Sequence, residues 1–316
     1  MDRTGFAALG ERLPKQLVSR LRALSPAERQ NLEEIRIYAG RNAELVIGGK
    51  CAELPERIDM DELLCALSAQ ALYSCERQMA LGYIPLPGGH RAGVCGRMCR
   101  EEDGTWRMAQ VSSVCIRIGR HVEGASKSLR PYLLDAEGKA RRVLVLGAPG
   151  CGKTTVLRDA ALWMAERGLF VAAADEREEL FGGEIHQNGL RMHVLGGMDK
   201  ALALPMLIRT MGSQVIVTDE IGKDEDTQAV LDALRCGIGL LVSAHAGSME
   251  EAMRRPAIRA LWEQRAFDGY ALLGRRSRVI SVYDHEGKRW EADVLGQLGS
   301  GNDGDDWRQR GRISAL

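Results

Sequence analysis

Aromatic side chains are scarce in this chain: Phe, Tyr and Trp together make up 5% of its 316 residues. Proteins that grip single-stranded nucleic acid stack bases on aromatics inside a basic groove, and the basic half of that pairing is missing too. Lys+Arg and Asp+Glu each total 43, so no overall positive field draws nucleic acid or anionic lipid. No apolar run approaches the ~18–20 residues of a membrane-spanning helix. The opening residues, Met1-Asp2-Arg3-Thr4-Gly5, lack the apolar core of a secretion signal. The expectation is a protein that stays inside the cell and reaches a membrane only by docking on a partner. The eight cysteines contain no C-x-x-C pair, which points to reduced thiols in a cytosolic protein. His90, Cys95, Cys99 and Cys115 are the set that could be gathered as a zinc site, but their spacings match no standard ligand pattern.

What the chain does have is one stretch that organises the rest. Val143-Leu144-Val145-Leu146 reads as a buried strand, and the next residues fit G-x-x-x-x-G-K-[ST]. An amphipathic helix then runs to about Arg167. A phosphate chain needs that order of parts. Glycines at 147, 150 and 152 let the backbone curl with its N–H groups inward, and the helix start aims its positive end at the same point. Gly147, Ala148, Pro149, Gly150, Cys151, Gly152, Lys153, Thr154 and Thr155 are therefore the expected nucleotide-binding residues. Lys153 is expected to reach the outer phosphates of ATP, and the Thr154 hydroxyl to ligate Mg²⁺.

The length suggests two domains. Residues 1–125 read as a small α+β domain and 126–140 as a linker. Residues 141–296 read as the P-loop domain, and 297–316, rich in Gly, Asp and Arg, as a disordered tail. In the first region, Pro14 to Leu24 carries one apolar helical face, and Ser25-Pro26-Ala27-Glu28 is a capping box. Leu32–Tyr38 and Glu44–Ile47 read as strands, and Asp59–Tyr73 as one helix. Thr105–Val111 and Ser113–Ile118 read as two paired strands. Beyond the phosphate loop, strands at Leu169–Ala174, Gln214–Thr218 and Ile238–Val242 alternate with helices, which implies a parallel sheet. Arg278–Asp284 and Lys288–Leu295 read as a closing hairpin.

In such a sheet, ligands sit beyond the carboxyl ends of the strands, and the polar clusters fall there. Val215-Ile216-Val217-Thr218 ends on Asp219 and Glu220. Asp219 is expected in the shell of the Mg²⁺, directly or through water, and Glu220 is expected to polarise the water attacking the γ-phosphate. Asp175-Glu176 ends another strand as a second acid pair, for which a solvated charge run through Glu179 is the ordinary alternative. His245 ends the next strand, as a γ-phosphate sensor or an ordinary capping histidine. Arg36, Arg91, Arg97 and Arg117 are candidates for reaching a neighbour's nucleotide, against ordinary surface or intradomain pairing.

These residues resemble the stage III sporulation protein AA family of endospore-forming bacteria, which is related to the hexameric ATPases of type II and type IV secretion and pilus retraction. The resemblance covers most of 30–285. It rests on Leu32-Glu33-Glu34-Ile35-Arg36-Ile37, on Gly82 to Gly93, on Cys115-Ile116-Arg117-Ile118 and on Gly147 to Thr155. It continues in Asp175-Glu176-Arg177, Asp219-Glu220-Ile221-Gly222 and Ala244-His245-Ala246-Gly247. It implies an α/β P-loop NTPase fold of secretion-ATPase type, with Asp175 and Glu176 in the aspartate box and His245 in the histidine box. Catalytic roles are thus expected for Glu220, Asp175, Glu176 and His245, and metal binding for Thr154 and Asp219. The resemblance further implies a mother-cell, cytoplasmic ATPase energising a channel between mother cell and forespore, with membrane proteins of that complex as partners and a hexameric ring as its assembly. Two departures stand out. Secretion ATPases have Gly-Glu where this chain has Asp219-Glu220, and Gly212-Ser213 replaces a proline before the Asp219 strand.

Two other functions compete. A nucleic-acid-associated P-loop protein is disfavoured by neutral charge and few aromatics. A small-molecule kinase needs an acceptor pocket and an arginine-rich lid, neither of which the sequence displays.

Overall fold

The computed structural model describes residues 9–69, 72–119, 122–181, 190–274 and 278–290. The chain divides into two compact units: Met1–His121 with Arg177–His186, and Val122–Glu176 with Gln187–Leu316.

In the first unit, α1 (Lys15–Ala23) buries Leu17 and Leu21, four residues apart on one face. Helix α2 (Pro26–Asn31) begins with the expected capping box: the Glu28 N–H donates to Ser25 Oγ at 3.3 Å, and the Ser25 N–H donates to Glu28 Oε2 at 2.8 Å. Strands β1 (Leu32–Tyr38), β2 (Asn42–Ile47) and β3 (Lys50–Arg57) follow, then helices α3 (Met60–Leu67) and α4 (Leu72–Ala80). Strands β4 (Tyr83–Leu86), β5 (His90–Arg100) and β6 (Trp106–Arg117) complete a six-stranded antiparallel sheet of order β3-β2-β1-β6-β5-β4.

Two expectations need correcting here. The single helix expected over Asp59–Tyr73 ends at Leu67, because Ser68 caps it and Ala69 takes the left-handed conformation (φ +52°). The two paired strands expected over 105–118 are one long strand, β6, whose register slips opposite Cys95 and Gly96. That slip moves the buried positions from Val111 to Val114, and the break in alternation reads in sequence as a turn.

The second unit opens with 122–141, which wraps onto its own unit: Asp159 accepts from the N–H groups of Gly124 and Ser126. Strand β7 (Arg142–Gly147) leads into α5 (Lys153–Glu166). Then come β8 (Val171–Asp175), β9 (Met192–Gly196), α6 (Lys200–Thr210), β10 (Val215–Thr218) and α7 (Asp224–Arg235). The unit closes with β11 (Gly239–His245), α8 (Met249–Met253), α9 (Pro256–Glu263), β12 (Gly269–Leu273) and β13 (Val279–Asp284). The seven-stranded sheet has the order β13-β12-β7-β11-β10-β8-β9, parallel except for β13.

The four-residue apolar runs of the central strands are buried on both faces, which is why they show no alternation. Leu144, Leu146, Ile216 and Val242 join the core built with α6, α7 and α9. The phosphate-loop helix α5 packs on β7, β8, β10 and β11 and buries Val156, Leu157, Ala160 and Ala161. The closing hairpin begins where expected: after β13 the chain turns at Glu286-Gly287, the Asp284 N–H donates to Lys288 O at 2.9 Å, the Trp290 N–H donates to Val282 O at 2.7 Å, and Arg289 bridges Tyr283. On its other side β13 pairs with β12, a strand that the sequence reading missed. The rest of the expected second strand, and the expected tail at 297–316, lie outside the described residues.

Candidate functional site

All strand tips with expected site residues sit on one edge of the parallel sheet. Register places His245 beside Gly147 and Thr218 between Ala174 and Val242, so the phosphate loop, Asp219-Glu220 and Asp175-Glu176 emerge side by side.

The loop's glycines have physical reasons. A β-carbon on Gly147 would collide with Cys151 Sγ and stand 3.3 Å from Leu273 Cβ. Gly152 caps α5 at φ +100°, a conformation that other residues avoid. Cys151, Lys153 and Thr154 follow from this curl, which leaves Lys153 only 7% exposed.

Lys153 uses all three of its donors within the site. Nζ lies 3.0 Å from Gly147 O, 3.3 Å from Ala148 O and 2.9 Å from His245 Nδ1. A lysine ammonium has no acceptor, so Nδ1 must accept, and the imidazole proton sits on Nε2. Nε2 in turn lies 2.8 Å from Glu220 Oε1, so it donates there. Lys153, His245 and Glu220 thus form one hydrogen-bonded chain.

A second chain runs alongside it. Thr154 Oγ1 donates to Asp219 Oδ2 at 2.7 Å, and the Ser243 hydroxyl donates to Asp219 Oδ1. Ser243, fully buried on β11, also accepts the Glu220 N–H at 3.0 Å, and its carbonyl accepts the Ile221 N–H at 2.8 Å. These bonds hold Glu220 in the left-handed region at φ +48°, which costs about 1–3 kcal/mol in a residue other than glycine.

The second acid pair divides. Asp175 is 2% exposed and lies electrostatically close to Arg158, itself 8% exposed on α5. Burial pulls the Arg158 guanidinium below its ordinary value, opposed by the charges of Asp175 and Asp219. Glu176 instead reaches Lys200 at the start of α6, with Oε2 3.1 Å from Nζ.

Three residues of this constellation escaped the sequence reading. Ser243 left a faint signal as a hydroxyl inside an otherwise apolar strand. Lys200 and Arg158 left none, since each reads as an ordinary helix-surface cation. In the first unit, Arg36 donates to Glu34 at 2.9 and 2.7 Å, and Arg117 stands 3.8 Å from the same carboxylate. Arg91 pairs with Glu179 and lies 4.0 Å over the Tyr83 ring, and Arg97 faces Gln110 across the sheet. His90 Nδ1 accepts the Gly119 N–H at 2.9 Å. All eight cysteines are free thiols. No helix among the described residues is long and apolar enough to cross a membrane.

A model of the family described as "Sporulation stage III, protein AA" matches residues 11–290. The chain is 36% identical over 295 residues to stage III sporulation protein AA of Bacillus subtilis (strain 168), covering 88% of this chain and 95% of that protein. It is also 26% identical over 238 residues to the uncharacterized protein ycf45 of Porphyra purpurea, covering 73% of this chain and 39% of that one. Among solved structures, the ATPase DotB of Legionella pneumophila matches with a TM-score of 0.53 at 15% identity, over 88% of this chain and 80% of DotB. The pilus retraction motor PilT with bound ADP matches with a TM-score of 0.52 at 17% identity, over 80% and 77% of the two chains. At these identities the two structures establish the fold: an α/β P-loop parallel sheet with a smaller N-terminal α+β unit, as the sequence implied.

Proposed function

The chain belongs to the stage III sporulation protein AA family, and from that premise we propose that it is an ATP-hydrolysing motor of secretion-ATPase type. The observation that carries this reading is the chain from Lys153 through His245 to Glu220, beside the Thr154–Asp219–Ser243 chain. One cation, one general base and one metal-binding pair lie at a single edge of the sheet, within reach of one nucleotide.

The loop N–H groups of 147–155 and the start of α5 cradle the phosphates of ATP. Lys153 exchanges its carbonyl partners for the outer phosphates. Thr154 and Asp219 offer hydroxyl and carboxylate oxygen, the hard donors that Mg²⁺ takes. Bound there, the ion would neutralise charge building on the phosphates. Glu220 accepts a proton from the attacking water, and His245 orients its carboxylate. Asp175 acts from the neighbouring strand tip through Arg158.

Family membership supports a cytoplasmic, mother-cell role in which nucleotide turnover energises a channel complex between mother cell and forespore. Membrane proteins of that complex would be the partners, and a hexameric ring the working assembly. Light scattering with ATP and Mg²⁺ tests the ring: hexamers are expected, and a monomer at every nucleotide and protein concentration would rule it out.

A further inference from the structure

Lys200 opens α6 directly after the capping residue Asp199, where a lysine is ordinarily solvated, yet it is only 8% exposed. Burying an ammonium is costly unless it is paired. Its two partners come from the tips of different strands. Nζ lies 3.1 Å from Glu176 Oε2, beyond β8, and donates at 2.9 Å to the Glu220 carbonyl, beyond β10. Glu220 is one of the few described non-glycine residues with a positive φ, and its peptide is gripped from both ends. Ser243 takes its N–H and Lys200 its C=O.

We propose that Lys200 is a positioning residue for Glu220, and that Glu176 serves as the anchor of Lys200 and does not itself prepare water. A left-handed turn needs fixed partners on both sides or it relaxes, swinging the carboxylate away from His245. Lys200 supplies the partner on the carbonyl side, and the Glu176 carboxylate holds the ammonium in place. Through this pair, the tips of β8 and β10 are fastened together. The inference rests on the reading of Glu220 as the residue that activates water.

The test compares Lys200→Met, Glu176→Gln, the double variant and Lys200→Gln in the full-length protein. Three quantities are read: affinity for a fluorescent ATP analogue, kcat and KM for ATP, and amide hydrogen exchange across 219–222. Lys200→Met should leave nucleotide affinity within about threefold, lower kcat at least about tenfold and speed exchange at Glu220 and Ile221. The double variant should be as slow as Lys200→Met, because the carbonyl has still lost its donor. Lys200→Gln keeps a donor without the charge, so it guards against misfolding and should lose less turnover than Lys200→Met.

Recovery of wild-type kcat in the double variant would overturn the proposal, since Lys200 would then merely neutralise Glu176. Unchanged kcat in Lys200→Met would also overturn it, as would Lys200→Gln losing more turnover than Lys200→Met. Absence of phosphate release from the wild-type protein would defeat the ATPase reading itself. The exchange measurement would still decide the role of Lys200: unchanged exchange in Lys200→Met contradicts it.

Discussion

His245 Nε2 lies 2.8 Å from Glu220 Oε1, while the opposite ring nitrogen is taken by Lys153. The imidazole therefore links the residue expected to meet the phosphates with the residue expected to meet the water. On the proposed reading, phosphates that drew Lys153 away would take the donor from His245 Nδ1 and free the ring to turn toward the γ-phosphate. Occupancy of the loop would thereby be felt at Glu220.

His245→Gln should therefore bind nucleotide nearly as well as wild type but turn over more slowly, by about a hundredfold, the scale of a lost acid–base participant. Nucleotide titration and steady-state kinetics on the same preparation check this. A matching loss in affinity would instead make His245 a binding residue.

The phosphate loop is packed against its own cysteine. Gly147→Ala should lower stability by about 1–3 kcal/mol, the usual cost of overpacking, and weaken nucleotide binding. Because Cys151 Sγ is the atom in the way, Cys151→Ala in the same chain should return part of the stability. Urea melts of the single and double variants decide it, and no recovery would point to Leu273 as the obstacle.

Asp159 gives a pH-dependent prediction. Burial alone would push its carboxyl up, but the Ser126 hydroxyl, the N–H groups of Ser126 and Gly124 and the Arg130 guanidinium together hold it below the usual range. A carboxyl depressed by folding stabilises the protein above its unfolded value of about 3.9, and that stability is lost as pH falls through the folded value. Asp159→Asn should thus cost about 1.5–3 kcal/mol near neutral pH, typical of hydrogen bonds to a charged group, and less in acid. Melts at pH 7 and pH 3 check it; an equal loss at both would contradict the ionised network.

Much of this was legible in the residues, for identifiable reasons. The β7 run, the glycine loop and α5 form a local pattern in which each part has a steric or dipolar cause. Strands β8, β10 and β11 could be read because burial on both faces makes them uniformly apolar. Strand β12 was missed because it is only five residues long, Gly269 to Leu273, and its Tyr-Ala-Leu-Leu run is too short to separate by periodicity from the helix before the Asp268-Gly269 turn. The bulge in β6 and the left-handed Ala69 are backbone events with no side-chain signature. At the site, acids at strand ends announced themselves. The residues that hold those acids did not: Lys200 and Arg158 look like any helix cation until the fold buries them.

The most direct test is phosphate release from ATP and Mg²⁺ with no added acceptor, measured for wild type, Lys153→Ala and Glu220→Gln alongside nucleotide binding. The account predicts steady release by wild type, loss of both binding and release in Lys153→Ala, and retained binding with release reduced at least about a hundredfold in Glu220→Gln. Release from Glu220→Gln at the wild-type rate, or none from wild type in any assembly state, would contradict it.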